Sequence, residues 1–189
     1  SIELEFRNKP TQIVDKVIFC MGGLPNPNQY SIFRNAGYEI SKPVPSLYTF
    51  NMPNHKITKL MGVVVNPATV KVQGTKLIDN GPLLITHWGM SGPAVLKLSA
   101  WGARELCGQD YKFSVLINFL GKNQEEIRQN LQELKSKNSK KMPANVSVEG
   151  IPKRYWQRLC ELVEIRSNQT FGEISKKQLN KFVEELSNA

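Results

Sequence analysis

Residues 81–99, G-P-L-L-I-T-H-W-G-M-S-G-P-A-V-L-K-L-S, constrain this chain more than any other stretch, because they specify a strand, a tight turn and a helix start in quick succession. Leu83, Leu84 and Ile85 form a short apolar run suited to a buried strand. Gly89 and Gly92 are expected to bracket the turn, and Ser91 to cap a helix that Pro93 opens and that continues to about Leu106. Gly92 puts no side chain over the first turn of that helix, so the free amides there are expected to be open to an anionic or electron-rich group. Thr86, His87, Trp88, Gly89, Ser91 and Gly92 are therefore the ligand-facing candidates.

Each of these residues also has a plain structural use. His87 is the one histidine placed where chemistry is expected, since His55 lies in a polar turn at 52–56. A histidine following a buried strand can be a structural hydrogen-bonder, or it can face a ligand and orient a substrate or assist proton movement. Both readings stay open, and His87 is the candidate catalytic residue. Thr86 and Ser91 suit turn and cap hydrogen bonds equally well, while Trp88 and Trp101 are expected to fill the core rather than shield a ligand. A serine-hydrolase reading fails on pattern: the nucleophile elbow requires G-x-S-x-G, which Gly89-Met90-Ser91-Gly92 does not supply. Asp79 and Glu105 are the acids nearest the motif, and nothing in the sequence pairs them for acid–base work.

Cys20, Cys107 and Cys160 are far apart, with no C-x-x-C and no histidine at ligand spacing. Neither a metal site nor a disulfide framework is indicated, and a reducing, cytoplasmic setting is expected. Cys20 and Cys160 lie among apolar neighbours and are expected to be inert core thiols. The net charge of +9 comes from 25 basic and 16 acidic residues, spread evenly: 12 and 7 up to Leu120, 13 and 9 beyond it. The densest cluster, Lys137, Lys140 and Lys141, has no interleaved aromatic residues and reads as a solvated loop rather than a nucleic-acid surface. No apolar run approaches the ~20 residues of a membrane span, so no membrane partner is expected. A chain of 189 residues can bury roughly 70% of its unfolded surface.

Two strands are expected at 2–6 and 13–20, joined by the polar turn 7–12 and running into Gly22-Gly23. A loop at 24–28 and a helix at 29–35, ended by Gly37, come next. Strands are then expected at 46–50, 59–65, 69–72, 83–86 and 111–119, with Asn66-Pro67-Ala68 read as a hairpin turn. Beyond Leu120 the pattern is helical: Asn123 with Glu126 and Ser175 with Gln178 form capping boxes, and Pro152 opens a helix carrying Tyr155, Trp156, Leu159 and Val163. The expected class is α+β, a small β-barrel-like or curved, mostly antiparallel sheet plus a helical bundle, with parts at 1–33, 34–120 and 121–189.

T-H-W-G-M-S-G-P-A at residues 86–94 is similar to the T-H-x-G-[LM]-S-G-P-A signature of a bacterial flavoprotein family, the aminoacetone oxidase-like and bile-acid-reductase-like proteins called NAD(FAD)-utilizing dehydrogenases. V-I-F-C-M-G-G at 17–23, A-G-Y-E-I at 36–40 and P-V-P-S-L-Y-T-F at 43–50 resemble the same family in the same order, whereas the chain beyond 99 is compatible in pattern only. The resemblance implies that residues 1–33 are a remnant of a Rossmann-like flavin domain, in which Gly22 and Gly23 give part of an FAD site. The family's A-T-G-G stands here as Cys20-Met21-Gly22-Gly23, without the threonine hydroxyl. No G-x-G-x-x-G turn is present. The chain thus reads as an internal piece of a two-domain FAD flavoprotein, the insert or cap that covers the flavin and shapes the substrate pocket, inactive alone. FAD in the parent protein, NAD(P)H as candidate reductant, the rest of the FAD-binding domain and a small-molecule substrate are the implied cofactors and partners. The alternative is a non-catalytic module binding RNA or protein through the helical, basic part, although the charge pattern does not favour nucleic acid.

Overall fold

The computed structural model describes residues 1–23 and 26–189; Leu24 and Pro25, at the head of the expected loop 24–28, lie outside the described residues. The chain divides into two units, Ser1–Pro43 and Val44–Ala189. In the first, β1 (Ile2–Phe6) and β2 (Lys9–Val14) form an antiparallel hairpin in which Ile2 faces Val14. Asn26 and Gln29 make a capping box at the 3-10 turn Pro27–Tyr30, which leads into α1 (Ser31–Asn35). The strand expected at 13–20 stops at Val14, and residues 16–23 have no regular structure. A two-stranded hairpin offers them neither a further neighbour to pair with nor an apolar layer to pack on. Ile18 is accordingly 87% exposed. Cys20 is exposed too, not the buried thiol expected, whereas Cys160 is buried as expected.

The second unit is built on five strands: β3 (Phe50–Asn51), β4 (Val64–Val72), β5 (Ile78–Ile85), β6 (Gly89–Ser91) and β7 (Val115–Asn118). They form one antiparallel sheet in the order β3-β6-β5-β4-β7. Val65, Ala68, Val70 and Val72 of β4 all turn into the core. Asn66-Pro67 is not a hairpin turn but part of that strand. Val65 faces Leu83 and Ala68 faces Gly81, so β4 carries one extra residue in a bulge, where a proline needs no ladder donor. Of the expected strand 59–65 only Val64 and Val65 are strand, while Lys59 and Leu60 end a 3-10 turn, Lys56–Leu60, which the His55 imidazole caps by accepting from the Ile57 amide at 3.3 Å. The strands expected at 46–50 and 111–119 contract to β3 and β7.

The helix after Pro93 is two helices, α2 (Pro93–Trp101) and α3 (Ala103–Gly108), broken at Gly102. A Cβ on Gly102 would stand 2.4 Å from the Leu77 side chain, so the glycine leaves room for Leu77 to pack there. Trp101, at the end of α2, is 85% exposed and does not fill the core as expected. Helices α4 (Gln124–Lys137), α5 (Lys153–Leu162) and α6 (Lys176–Ser187) follow, and both expected capping boxes are formed. Trp156 stacks on Phe182 at 4.7 Å and donates its indole hydrogen to Pro143 O at 2.8 Å.

Sheet and helices share one core, running from Val65, Val70 and Ile85 through Leu98 and Ile117 to Trp156, Leu159 and Phe182. Main-chain bonds fasten the two: Phe119 donates to Leu186 O at 2.9 Å, and Ile117 exchanges two bonds with Ala189 at 3.0 and 3.1 Å. Arg154 of α5 also donates to Met61 O at 3.2 Å. The fold is α+β, a curved antiparallel half-barrel with helices.

Candidate functional site

The turn of the 81–99 motif lies at 86–89, not between Gly89 and Gly92. The buried Thr86 closes it twice, its amide donating to Gly89 O at 2.9 Å and its hydroxyl accepting from the Gly89 amide at 3.1 Å. Gly89-Met90-Ser91 then returns along Leu84 and Ile85 as β6. Ser91 therefore sits in a ladder opposite Leu84 and caps nothing; the residue ahead of α2 is Gly92, at φ 96°. A Cβ on Gly92 would lie 2.6 Å from Pro82 O. The space expected to admit a ligand at this residue is filled by the main chain of β5.

The motif instead grips residues 48–52. Gly89 pairs with Asn51, and a Cβ on it would fall 2.2 Å from Phe50 O, so β3 can approach only a glycine. The Trp88 carbonyl accepts from the Met52 amide at 2.7 Å, and its indole donates to the Thr49 hydroxyl at 3.2 Å. Ser99, fully buried in α2, accepts from the Tyr48 amide at 2.9 Å and donates to Leu96 O at 2.8 Å. Trp88 remains 43% exposed, contrary to the core-filling expectation, because its ring lies over the outside of this clamp. His87 is exposed at the hairpin tip, its ring edge-on to Trp88 at 4.2 Å.

The gripped segment is one wall of a cavity of about 610 Å³. The sheet is curved enough that its two edge regions meet across this cavity. Tyr48 lies against Tyr111 at 5.7 Å and Phe50 against Phe113 at 5.0 Å, both edge to face. The half-barrel is therefore closed here by two rungs of aromatic rings, flanked by Asn51, Met52, His55 and Ser114. Neither His87 nor Trp88 lines the cavity.

Strain gathers at this seam. Among the described residues five non-glycines have positive φ, and four of them, Leu47, Asn54, Asp110 and Tyr111, line the cavity or adjoin its lining residues. Such conformations persist only where the surroundings enforce them, and they concentrate at binding sites. The Tyr111 hydroxyl is hydrogen-bonded to the Cys107 thiol, and that bond above all holds its pKa up to about 12. Burial, then the nearby Cys107, raises that of Tyr48, whose covered hydroxyl has no hydrogen-bond partner among the described residues. Both phenols are thus neutral hydrogen-bonding groups at ordinary pH. The sequence signal for this site is a repeated triplet, Tyr48-Thr49-Phe50 and Tyr111-Lys112-Phe113, whose period of two puts both rings on one face of an extended chain.

Gly22 and Gly23, in the other unit, have nothing within 4 Å of the position a Cβ would take, and Gly22 is at φ 67°. Their backbone is open to close approach, which fits the glycine-pair edge of a dinucleotide site and no more of it.

In an alignment 176 residues long that covers 88% of the chain, it is 28% identical to a protein of Escherichia coli strain K12 named ribosomal RNA dihydrouridine synthase. It spans 40% of that relative. Residues 44–189 match the family model described as HI0933-like protein barrel and H2TH domain, and the chain therefore belongs to the HI0933-like family of FAD-dependent oxidoreductases.

Proposed function

We propose that this chain is the insert of a larger FAD-dependent oxidoreductase, covering the flavin and shaping the substrate pocket, and that the substrate is a uridine of ribosomal RNA. The family match over residues 44–189 carries the oxidoreductase part, and the name of the E. coli relative supports the substrate. Dihydrouridine is uridine whose C5–C6 double bond has gained a hydride and a proton, two electrons in all. Flavin, when bound, supplies hydride chemistry of this kind, and NAD(P)H is the reductant we assign to it.

This chain's own contribution is positional. Gly22 and Gly23 give the nucleotide an approach free of side chains, while the rest of the FAD site belongs to the remaining flavin domain of the same polypeptide. The motif 81–99 holds the aromatic seam in place. His87, exposed at the tip of that hairpin, is the residue we assign to orient the substrate or move a proton. An RNA substrate departs from the expectation drawn from the charge pattern, and it gives the net charge of +9 a use: phosphates are held by basic surface without a dense lysine tract. It also makes the cytoplasm the place of action; no helix among the described residues is long and apolar enough to cross a membrane.

The test is the visible spectrum of the purified whole protein, joined to nucleoside analysis of ribosomal RNA from cells lacking its gene. Flavin bands and a dihydrouridine lost with the gene and restored by a wild-type copy are expected. Flavin with unchanged dihydrouridine would remove the RNA substrate, and no flavin after FAD is supplied would remove the oxidoreductase reading.

A further inference from the structure

We infer that the aromatic seam of the half-barrel is a binding site for an unstacked nucleobase, which reaches it as part of a single-stranded RNA. The RNA source rests on the function proposed above; the nucleobase chemistry rests on the cavity itself. Its volume of about 610 Å³ lies in the ordinary range for sites that enclose a small ring system. No Asp, Glu, Lys or Arg lines it, which disfavours a buried phosphate and suits a neutral, flat ring.

Tyr111 is 41% exposed, so a base can lie against its ring while Tyr48, Phe50 and Phe113 back the wall. Base–aromatic stacking is available to any nucleobase. Around the rings stand groups able to read a base edge: the exposed Asn51 amide, which both donates and accepts, the Ser114 hydroxyl, and His55, whose Nδ1 is engaged with the Ile57 amide and whose Nε2 is the second ring nitrogen. Exposed Lys56 and Lys112 follow His55 and Tyr111 in sequence, placing a cation beside each wall for the phosphates that stay in solvent. Each wall carries backbone at positive φ, Asn54 in one and Tyr111 in the other, a conformation that concentrates at binding sites.

The experiment titrates the full chain with a short single-stranded RNA carrying 2-aminopurine, the same RNA with an abasic site at that position, and separately UMP and FAD. The base-bearing RNA is expected to change fluorescence on binding and to bind more tightly than the abasic one. Tyr111→Ala is expected to cost it about tenfold or more in affinity, with Tyr111→Phe retaining most of the binding. Asn51→Ala, a change at an exposed side chain, provides a second variant if Tyr111→Ala does not fold. Equal affinity for base-bearing and abasic RNA, unaffected by Tyr111→Ala or Asn51→Ala, would overturn the proposal. Tyr111-dependent binding of UMP or FAD without binding of the RNA would keep the nucleobase site and overturn its RNA source. Failure of the dihydrouridine assay with Tyr111-dependent base binding intact removes the proposed reaction and leaves the site, while the opposite pair of results removes the site and leaves the reaction.

Discussion

The buried Ser99 hydroxyl accepts the Tyr48 amide hydrogen at 2.9 Å, so a residue at the end of α2 fixes the main chain of a residue in the aromatic seam. Ser99→Ala leaves that amide without a partner in a half-buried setting. The expected cost is about 1–3 kcal/mol, read as a fall in the urea midpoint with an unchanged slope.

Two glycine substitutions separate close approach from mere flexibility. Gly89→Ala drives a methyl into Phe50 O and is expected to cost about 2–4 kcal/mol, with β3 displaced from β6. Gly108→Ala, at the last residue of α3 with nothing within 4 Å of the added carbon, is expected to be neutral or to stabilise by up to ~1 kcal/mol. Thermal denaturation of the two variants side by side checks the contrast.

Trp156 supplies a stacked ring and a buried donor together. Trp156→Phe keeps an aromatic ring against Phe182 but removes the indole donor that meets the Pro143 carbonyl at 2.8 Å, leaving that carbonyl the Val146 amide at 2.9 Å. The lost hydrogen bond and the space left by a smaller ring in the core are together expected to cost about 1–3 kcal/mol in chemical denaturation, more than a Trp101→Phe variant at a site 85% exposed.

Stability is expected to fall on the alkaline side. Burial pushes the Cys160 thiol from an ordinary 9.0 up to about 12, and burial raises the Tyr155 phenol in the same direction. A group whose pKa is higher folded than unfolded holds more protons in the folded state. Its contribution is therefore complete below pH 9.0 and is lost as pH climbs through about 12. Denaturation midpoints measured across that window should decline for the wild type and decline less for Cys160→Ala.

What the sequence made legible was local. The capping boxes at Asn123 and Ser175 and the run Leu83-Leu84-Ile85 are signals contained within a few residues, and each formed the expected element. Asn66-Pro67 misled because a bulge can absorb a proline inside a strand, which only the partner register reveals. Ser91 misled because its backbone was claimed by pairing with Leu84 across the β5–β6 hairpin, which outranks a cap. Trp88 and Trp101 are large and apolar, but position at a hairpin tip and a helix end decided their exposure. The seam needed two Tyr-x-Phe triplets, far apart in the chain, to be brought side by side by the curvature of the sheet. The motif 86–94 carried the family signal, yet its residues act on this site through residues 48–52, by main-chain pairing and by the Trp88 bond to the Thr49 hydroxyl.

The two main-chain bonds between Ile117 and Ala189 have a consequence for aggregation. A sheet margin with free donors and acceptors invites a stranger's strand to zip onto it. On the β7 flank, Ile117 has β4 on one side and spends its own amide and carbonyl on Ala189 on the other. That stretch of margin cannot recruit another chain by backbone pairing, so a visitor there must be recognised by its side chains.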